Sequence, residues 1–333
     1  MKPPKNTLYL YPISAEGHRP GSNDYMVRLR DCLDRHYRVV NKGTSLGMAD
    51  LLLKLPRYDR VYFNWIEDVP DRRFGYLQIP MLLTVLLACK LSRKKIVWFV
   101  HNNLSHYKTN RVAKRIVRVL MRSFADVTLS HSREIGGLQR LRNLHCFDHP
   151  VERAPLLPQP AAPDWDLLIW GTVSPYKGVD RFAAFAARQP SLQALRVLIA
   201  GRFADAGLEQ RIRSQAPGGW EIRGHTVADE ELRDFYARSR YVLFCYAPGS
   251  VLSSAALCHS LAHGKVVIGP HTGCFKELGE LGLIYTYRSF DELPALIARL
   301  NAIEEPVSRA ALERYLSANG WEHFERFLVE RIG

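Results

Sequence analysis

Short apolar runs alternate with helix-like stretches along almost the whole of this 333-residue chain, and that alternation limits the folds open to it. Strand–helix alternation is typical of α/β proteins, in which helices cover the faces of parallel sheets. The sequence therefore predicts an α/β protein. The predicted strands lie near residues 7–12, 37–41, 60–64, 95–100, 126–130, 144–147, 166–170, 195–200, 220–223, 241–246, 265–269 and 283–286.

A proline-rich stretch divides the chain into two parts of similar pattern. Residues 151–163 contain four prolines, which suits an extended linker. We therefore predict two Rossmann-like, doubly wound parallel-sheet domains facing a central cleft, where ligands bind at strand ends. The predicted boundaries are an N-terminal domain over 1–150, a linker over 151–165, a C-terminal domain over 166–305 and final helices over 306–333 that can pack back on the first domain.

The positive charge of the chain is confined to its first half. Residues 1–150 hold 26 Lys and Arg against 12 Asp and Glu, whereas residues 151–333 hold 20 against 21. Such an excess indicates an anionic partner for the first half, either a membrane surface or a nucleic acid.

The cysteines and the apolar runs indicate a cytoplasmic protein. The six cysteines form no Cys-x-x-Cys pair and show no metal-like spacing, so we expect buried, reduced thiols. The N-terminus does not resemble a signal peptide, and no apolar run reaches about 18 residues. We therefore expect no transmembrane helix.

The loop over residues 171–178 follows a predicted strand, carries one lysine and enters a predicted helix. A helix start offers free N–H groups and the positive end of the helix dipole, and Lys177 adds a full charge. The loop is therefore a candidate phosphate site, with ordinary α/β scaffolding as the alternative. It lacks the Gly-x4-Gly-Lys-Ser/Thr spacing of a Walker A loop.

Five segments of the second half follow one another in an informative order. They are Gly171-x-x-x-Pro175-Tyr176-Lys177-Gly178-Val179, Leu198-Ile199-Ala200-Gly201, the segment from Gly224 to Tyr236, Gly264-Lys265-Val266-Val267-Ile268-Gly269 and Thr272-Gly273-x-x-x-Glu277. In this order they resemble the strand-end loops of bacterial family 4-like polysaccharide glycosyltransferases. The resemblance covers residues 166–290 and implies the GT-B fold.

The resemblance implies that the second half binds a nucleoside-diphosphate sugar, either UDP- or GDP-linked. Lys177 is implied to neutralise the diphosphate as it leaves, which makes it a donor-binding and a catalytic candidate. Ordinary surface charges and helix caps are the alternatives for these positions. The other implied donor-binding residues are Thr172, Arg202, Gly224, Val227, Ser253, Ser254 and Glu277.

The first half resembles the acceptor domains of these enzymes more loosely, through segments 62–67 and 99–106. His101 is the implied catalytic candidate, either for contact with a sugar hydroxyl or for proton transfer from the acceptor. A structural histidine is the alternative, and turn composition explains residues 20–24 equally well. The implied acceptor-binding residues are Asn23, Asp24, Asn64, Glu67 and His106.

One pair of positions departs from the family pattern. Many members carry two glutamates eight residues apart, where this chain has Val251 and His259. Small residues at the helix start near 253–254 are implied to hold the diphosphate through N–H and hydroxyl groups instead. Whether the anomeric configuration is retained or inverted stays open.

The sequence predicts no metal site and no cofactor besides the nucleotide-sugar substrate. Asp164-Trp165-Asp166 matches the DxD metal signature of the other glycosyltransferase fold. It precedes a predicted strand, however, and so lies at the wrong end of a parallel sheet. The positive field for the leaving group is expected from Lys177 and the helix starts.

A basic stripe runs through the first half, beside the apolar run at residues 79–88. One interpretation is a buried helix next to a solvated charged face, and the other is a docking surface for anionic lipid. We favour docking, because a lipid-linked acceptor would place the chemistry at a membrane. The stripe consists of Lys108, Arg111, Lys114, Arg115, Arg118 and Arg122, with Val112, Ile116, Val119 and Leu120 expected on other faces.

The leading hypothesis is a metal-independent hexosyltransferase. It would move a hexose from a nucleotide sugar to a lipid-linked glycan in cell-surface polysaccharide synthesis, at the inner face of the membrane. One alternative is a non-catalytic nucleic-acid-binding protein, although no interleaved aromatic and basic platform supports it. The other is a sugar-nucleotide epimerase of the same fold, which should carry several cleft carboxylates.

Overall fold

The chain, described by a computed structural model, folds into two compact units. The first unit consists of Met1–Asp148 with Glu322–Gly333, and the second of His149–Trp321. The structure describes residues 6–12, 25–41, 47–71, 74–101, 110–135, 138, 141, 143–158, 160–247 and 251–333. Within these ranges, no helix has both the length and the apolar character needed to span a bilayer.

The first unit contains a six-stranded parallel sheet in the order β2-β1-β3-β4-β5-β6. Each strand coincides with a run predicted from the sequence. Tyr62, Trp98 and Phe99 are fully buried in its core, because helices cover both faces of such a sheet. The strands are β1 (Thr7–Tyr11), β2 (Arg38–Val39), β3 (Arg60–Asn64), β4 (Lys95–Val100), β5 (Val127–Ser130) and β6 (Leu144–Cys146).

The second unit contains another six-stranded parallel sheet, in the order β12-β11-β10-β7-β8-β9. Its central strands β10, β7 and β8 are apolar because both of their faces are covered. The strands are β7 (Trp165–Trp170), β8 (Val197–Ala200), β9 (Trp220–Arg223), β10 (Ser239–Leu243), β11 (Val266–Pro270) and β12 (Tyr285–Tyr287).

Helices follow the strands in alternation, as the sequence predicts. The last helix belongs to the first unit, where Arg60 Nε donates to the carbonyl of Ile332 at 3.1 Å and Lys95 Nζ to that of Gly333 at 2.8 Å. The helices are α1 (Tyr25–Asp34), α2 (Met48–Leu53), α3 (Gly75–Leu91), α4 (Arg111–Phe124), α5 (Val179–Ala186), α6 (Pro190–Gln193), α7 (Ala206–Gln215), α8 (Asp229–Arg238), α9 (Ala255–Ala262), α10 (Gly273–Glu280), α11 (Leu293–Asn301), α12 (Arg309–Ala318) and α13 (Trp321–Ile332).

Alternate residues of β7 point to opposite faces of the second sheet. Leu168 packs with Phe235 on one face, whereas Leu167 packs with Phe182 on the other. The strands therefore sit between two apolar layers, and polar side chains collect where the strands end. All six cysteines are free, and all but the half-buried Cys146 are buried.

Candidate functional site

The carboxyl ends of β7 and β8 approach each other more closely than any residue but glycine allows. The N–H of Gly171 donates to the carbonyl of Ala200 at 3.0 Å. A Cβ at Gly201 would lie 2.1 Å from the carbonyl oxygen of Gly171, and Gly171 itself has a φ of +88°. The backbone of Gly171 and Gly201 thereby forms a narrow surface at the strand ends that is free of side chains; we call this surface the backbone floor.

Lys177 folds back over this floor. It closes a short 3-10 turn, Pro175–Lys177, and its Nζ lies 3.0 Å from the position of a Cβ on Gly171. The side chain is half-buried and forms no ion pair with any described residue. Burial lowers the pKa of Lys177 to about 8, because a desolvated ammonium without a counter-charge is destabilised. Such a cation is a strong candidate for binding an anion.

Three helices begin at the same edge of the sheet, after the adjacent strands β7, β10 and β11. Helix α5 begins two residues after Lys177. The starts of α9 and α10 are joined, because the N–H of Cys274 donates to the carbonyl of Leu252 at 2.9 Å. Helix starts present unpaired N–H groups and positive dipole ends, so this edge favours an anion.

The two serines predicted at the start of α9 have different environments. Ser254 is the N-cap: its Oγ accepts from the N–H of Leu257 at 3.2 Å and contacts Tyr246 Oη at 3.1 Å, with 5% of the residue exposed. Ser253 is half-buried, and its hydroxyl forms no hydrogen bond with the described residues. Ser254 is therefore used in capping α9, whereas the hydroxyl of Ser253 stays a candidate for binding an anion.

The remaining predicted donor residues follow neighbouring strands of the same sheet. Thr172 and Arg202 are exposed beyond the ends of β7 and β8, and the N–H of Val173 donates to the carbonyl of Arg202 at 2.9 Å. Gly224 follows β9 and is exposed, and the half-buried Val227 packs on the apolar cluster. Glu277 is half-buried on α10.

A buried hydrogen-bond chain beside this edge is a feature to which the sequence assigns no role. Trp170 Nε1 donates to Ser260 Oγ at 3.1 Å, and Ser260 Oγ donates to the carbonyl of Ala256 at 2.8 Å. Tyr236 Oη lies 3.1 Å from Ser260 Oγ and 2.9 Å from His259 Nδ1. The only sequence signal was that His259 occupies a family glutamate position.

The contacts of this chain favour one tautomer of His259. Ser260 Oγ donates to the Ala256 carbonyl, so we assign the Tyr236 proton to Ser260 Oγ. With this assignment Tyr236 accepts from Nδ1–H of His259, and Nε2 is an unprotonated acceptor. Burial, followed by the nearby His263, lowers the pKa of His259 to about 4, so the ring is neutral at pH 7.

The first of the two family glutamate positions contains no polar group. Val251 is buried in the apolar cluster together with Phe275. A Cβ at Gly273 would lie 2.4 Å from the carbonyl oxygen of Val251, so this segment is tightly packed. The carboxylate of the family pattern is therefore replaced here by core packing.

The first unit brings together two of its predicted residues. His101 Nε2 lies 2.9 Å from Asn64 Oδ1 at the ends of β4 and β3, and the ring stacks on Trp65 at 4.2 Å. Asn64 is fully buried, yet its Nδ2 has no hydrogen-bond partner among the residues that the structure describes. A buried orphan donor is rare, because leaving it unpaired is costly. These strand ends therefore form a polar pocket candidate.

Glu67, which was also predicted to bind the acceptor, has its side chain fixed by contacts within the first unit. It lies in a 3-10 segment, Ile66–Asp71, and its Oε1 accepts from Trp98 Nε1 at 3.0 Å. Burial raises the pKa of Glu67 to about 7, opposed in part by Arg118 on α4. Asn23, Asp24 and His106 lie outside the described residues.

The aspartates of the DxD match have structural partners. Asp164 pairs with Arg238, and Asp166 pairs with Arg196 at 3.4 Å. Both lie at the amino end of β7, the edge opposite Lys177. Among the residues that the structure describes, no three His, Cys, Asp or Glu side chains are grouped as metal ligands.

We predict that His259 is the Nδ1–H tautomer and stays neutral down to pH about 4. Nitrogen chemical shifts of the labelled ring would report a protonated Nδ1 and a bare Nε2. Tyr236→Phe should weaken this preference by removing the acceptor of the Nδ1 proton. A wild-type ring protonated on Nε2 would contradict the assignment.

Comparison with known proteins finds likeness in structure only. No protein-family model matches the sequence, and no curated protein matches it. HepE of Anabaena, crystallised with UDP and glucose, superposes with a TM-score of 0.65 at 16% identity over 98% of both chains. The lipopolysaccharide outer core galactosyltransferase WaaB gives 0.68 at 11% identity, again over 98% of both chains.

A third solved structure, TarM, gives a TM-score of 0.58 at 10% identity, with 82% of this chain aligned to 55% of that one. At these identities the likeness concerns the fold. Two six-stranded parallel sheets, each flanked by helices, match these structures. The predicted fold class is thus confirmed: this chain has the GT-B fold.

Proposed function

We propose that the protein is a glycosyltransferase whose donor is a nucleoside-diphosphate sugar. The observation that carries this proposal is Lys177, a desolvated cation without a carboxylate partner among the described residues, beside three helix starts. A diphosphate satisfies both features. As the bond to the sugar breaks, negative charge grows on the leaving diphosphate, and the positive field is already in place.

The relatives in structure support transfer as the chemistry. HepE was crystallised with UDP-glucose as well as UDP, and WaaB is named a galactosyltransferase. The same fold with a strand-end cation fits a nucleotide sugar linked to UDP or GDP. We extend the proposal to a hexose as the transferred group.

Within the second unit, Ser254 caps α9 and the other predicted residues each have a proposed part. Ser253 and the N–H groups at the start of α9 would hold the diphosphate with Lys177, and Arg202 would reach it from β8. Gly224 and Val227 would border the base. Hydroxyl groups of the donor would be bound by Glu277 and by His259, whose Nε2 is an acceptor. Thr172 would lie on the diphosphate side.

The first unit would bind the acceptor at Asn64 and His101. The orphan Nδ2 of Asn64 is a donor for an acceptor hydroxyl oxygen, and it lies on the residue that orients the His101 ring. His101 would then move a proton or contact the sugar. Glu67 remains a proposed acceptor residue at the adjoining segment.

We further propose a lipid-linked glycan as acceptor, in cell-surface polysaccharide synthesis at the inner face of a membrane. The charge excess of residues 1–150 supports an anionic surface as partner. The name of WaaB refers to lipopolysaccharide, which is a glycan of this kind.

Lys177→Ala should weaken UDP or GDP binding by about 1.5–3 kcal/mol, the range for a hydrogen bond to a charged group. Only the ammonium form attracts the diphosphate, and its pKa in the free protein is about 8. Affinity should therefore be full below pH 8 and fall as the pH rises above it. Calorimetry at pH 7, 8 and 9 measures both effects.

Arg211→Gln is the matched control for Lys177→Ala, because Arg211 is an exposed cation of the same unit on α7. It should leave affinity and pH dependence unchanged. Equal nucleotide affinity in Lys177→Ala and the wild type would remove the basis of the donor site.

Transfer should proceed without a divalent metal. Lys177 and the helix starts supply positive charge at the diphosphate, whereas the DxD aspartates are paired with arginines at the other edge. Turnover of a nucleotide sugar in EDTA, compared with turnover in added Mn²⁺ or Mg²⁺, tests this. Strict loss in EDTA with recovery in either metal would refute metal independence.

His101→Gln should lower kcat by about 10²–10⁴, the usual contribution of general acid–base catalysis. Nucleotide affinity should not change, because Lys177 belongs to the other unit. Measuring kcat with a labelled nucleotide sugar, alongside UDP calorimetry, separates the two. An unchanged kcat would make His101 structural, and conversion of the nucleotide sugar without acceptor would identify an epimerase.

A further inference from the structure

Exposed apolar side chains concentrate on two neighbouring helices of the first unit. Thirteen large apolar residues are exposed in the described parts of the chain, and ten of them lie between residues 74 and 119. Helices α3 and α4, which pack against each other, carry nine of the ten. The ten are Phe74, Tyr76, Leu77, Met81, Leu83, Leu87, Leu91, Val112, Ile116 and Val119.

Helix α3 is apolar on both its inner and its outer side. Its inner side buries Leu82, Val85 and Leu86 completely, whereas Leu77 is 71% exposed and Leu91 is 85% exposed. Soluble helices ordinarily place polar residues on the outer side. An apolar surface of this extent marks an interaction site.

Helix α4 mixes arginine with aliphatic residues on one exposed side. Its inner side buries Ala113, Val117 and Met121. The exposed residues are Arg111, Val112, Arg115, Ile116, Val119, Arg122 and Ser123. Val112, Ile116 and Val119 lie on a face next to that of the arginines, and both of these faces are exposed.

Two residues of the predicted basic stripe interact with acidic residues of the first unit and are not fully exposed. Lys114 Nζ pairs with Asp71, and both side chains are largely buried. Arg118 is half-buried and faces Glu67. The stripe is thus reduced to Arg111, Arg115 and Arg122 among the described residues, because Lys108 lies outside them.

We infer that the outer side of α3 and α4 inserts into an anionic lipid bilayer, with aliphatic side chains entering the acyl boundary and arginines bound to lipid phosphates. Interfacial helices combine these features, an apolar face and basic residues at its border. The inference deepens the proposed membrane location by naming the surface and its mode of binding. A nucleic acid would gain nothing from Val112, Ile116 and Leu77, since its backbone offers no apolar layer.

The test compares two variants of the full chain on sedimenting vesicles. One vesicle contains phosphatidylcholine with a minor share of phosphatidylglycerol, which supplies the anionic surface that attracts basic residues, and the other contains phosphatidylcholine alone. The charge variant is Arg111→Gln with Arg115→Gln and Arg122→Gln. The apolar variant is Val112→Ser with Ile116→Ser and Val119→Ser.

Insertion predicts that the wild type binds anionic but not neutral vesicles. The charge variant should lose at least tenfold in partitioning, and the apolar variant should lose a similar factor and be released by moderate salt. Arg188→Gln with Arg211→Gln and Arg314→Gln is the charge control. Leu53→Ser with Leu281→Ser and Ile303→Ser is the apolar control, and neither control should change binding.

A second measurement reports how deeply a side chain of α4 enters the bilayer. Val112→Trp should be quenched by lipids brominated on the acyl chain, whereas Leu281→Trp should not. An apolar variant that binds like the wild type would overturn insertion, and so would displacement of the vesicles by duplex DNA. UDP binding measured without vesicles is independent of these results, so failure here and failure of the donor site remain distinguishable.

Discussion

The approach of Gly201 to the carbonyl of Gly171 is the constraint on which the proposed anion site depends. A Cβ on Gly201 would lie 2.1 Å from that oxygen, and no side-chain rotation could relieve the clash, because the backbone fixes the positions of both atoms. Separation of the strand ends would move Gly171, above which Lys177 Nζ is held. The packing of the sheet therefore holds the Lys177 ammonium group where desolvation disfavours its charged form. A bound diphosphate would offset this desolvation cost.

Much of the fold was predictable because its signals are local. All twelve strands lie where apolar runs indicated them, and buried parallel strands must be apolar on both faces. The position of Lys177 at a strand end was predictable for the same reason: a glycine after a strand, followed by Lys177 and a helix, is contiguous in sequence. The position of Asp164 and Asp166 at the opposite edge likewise follows from the direction of one strand.

The unpredicted parts depend on residues distant in sequence. Trp170, Tyr236 and Ser260 come from three elements, so the contacts that favour one tautomer of His259 form only after folding. On α4, helical periodicity groups residues into faces but does not show which face is inward. Lys114 turns inward because its ammonium group forms an ion pair with Asp71, and no pattern within the helix reveals that partner.

The two units present positive charge in different ways. Residues 151–333 hold 20 Lys and Arg against 21 Asp and Glu, and several arginines beside the strands of the second unit are paired, such as Arg223 with Glu221 and Arg238 with Asp164, so the net charge of this part is close to zero. Lys177 can then attract an anion only at contact distance, where the anion displaces the water around the ammonium group. On α4 the exposed arginines form no ion pair with the described residues, and their attraction extends over a Debye length of about 8–10 Å. A long-range field suits recruitment to an anionic surface, whereas a single desolvated cation suits selection of one anion. The proposed membrane surface and the proposed diphosphate site therefore rest on different kinds of positive charge, one exposed on α4 and one desolvated at Lys177.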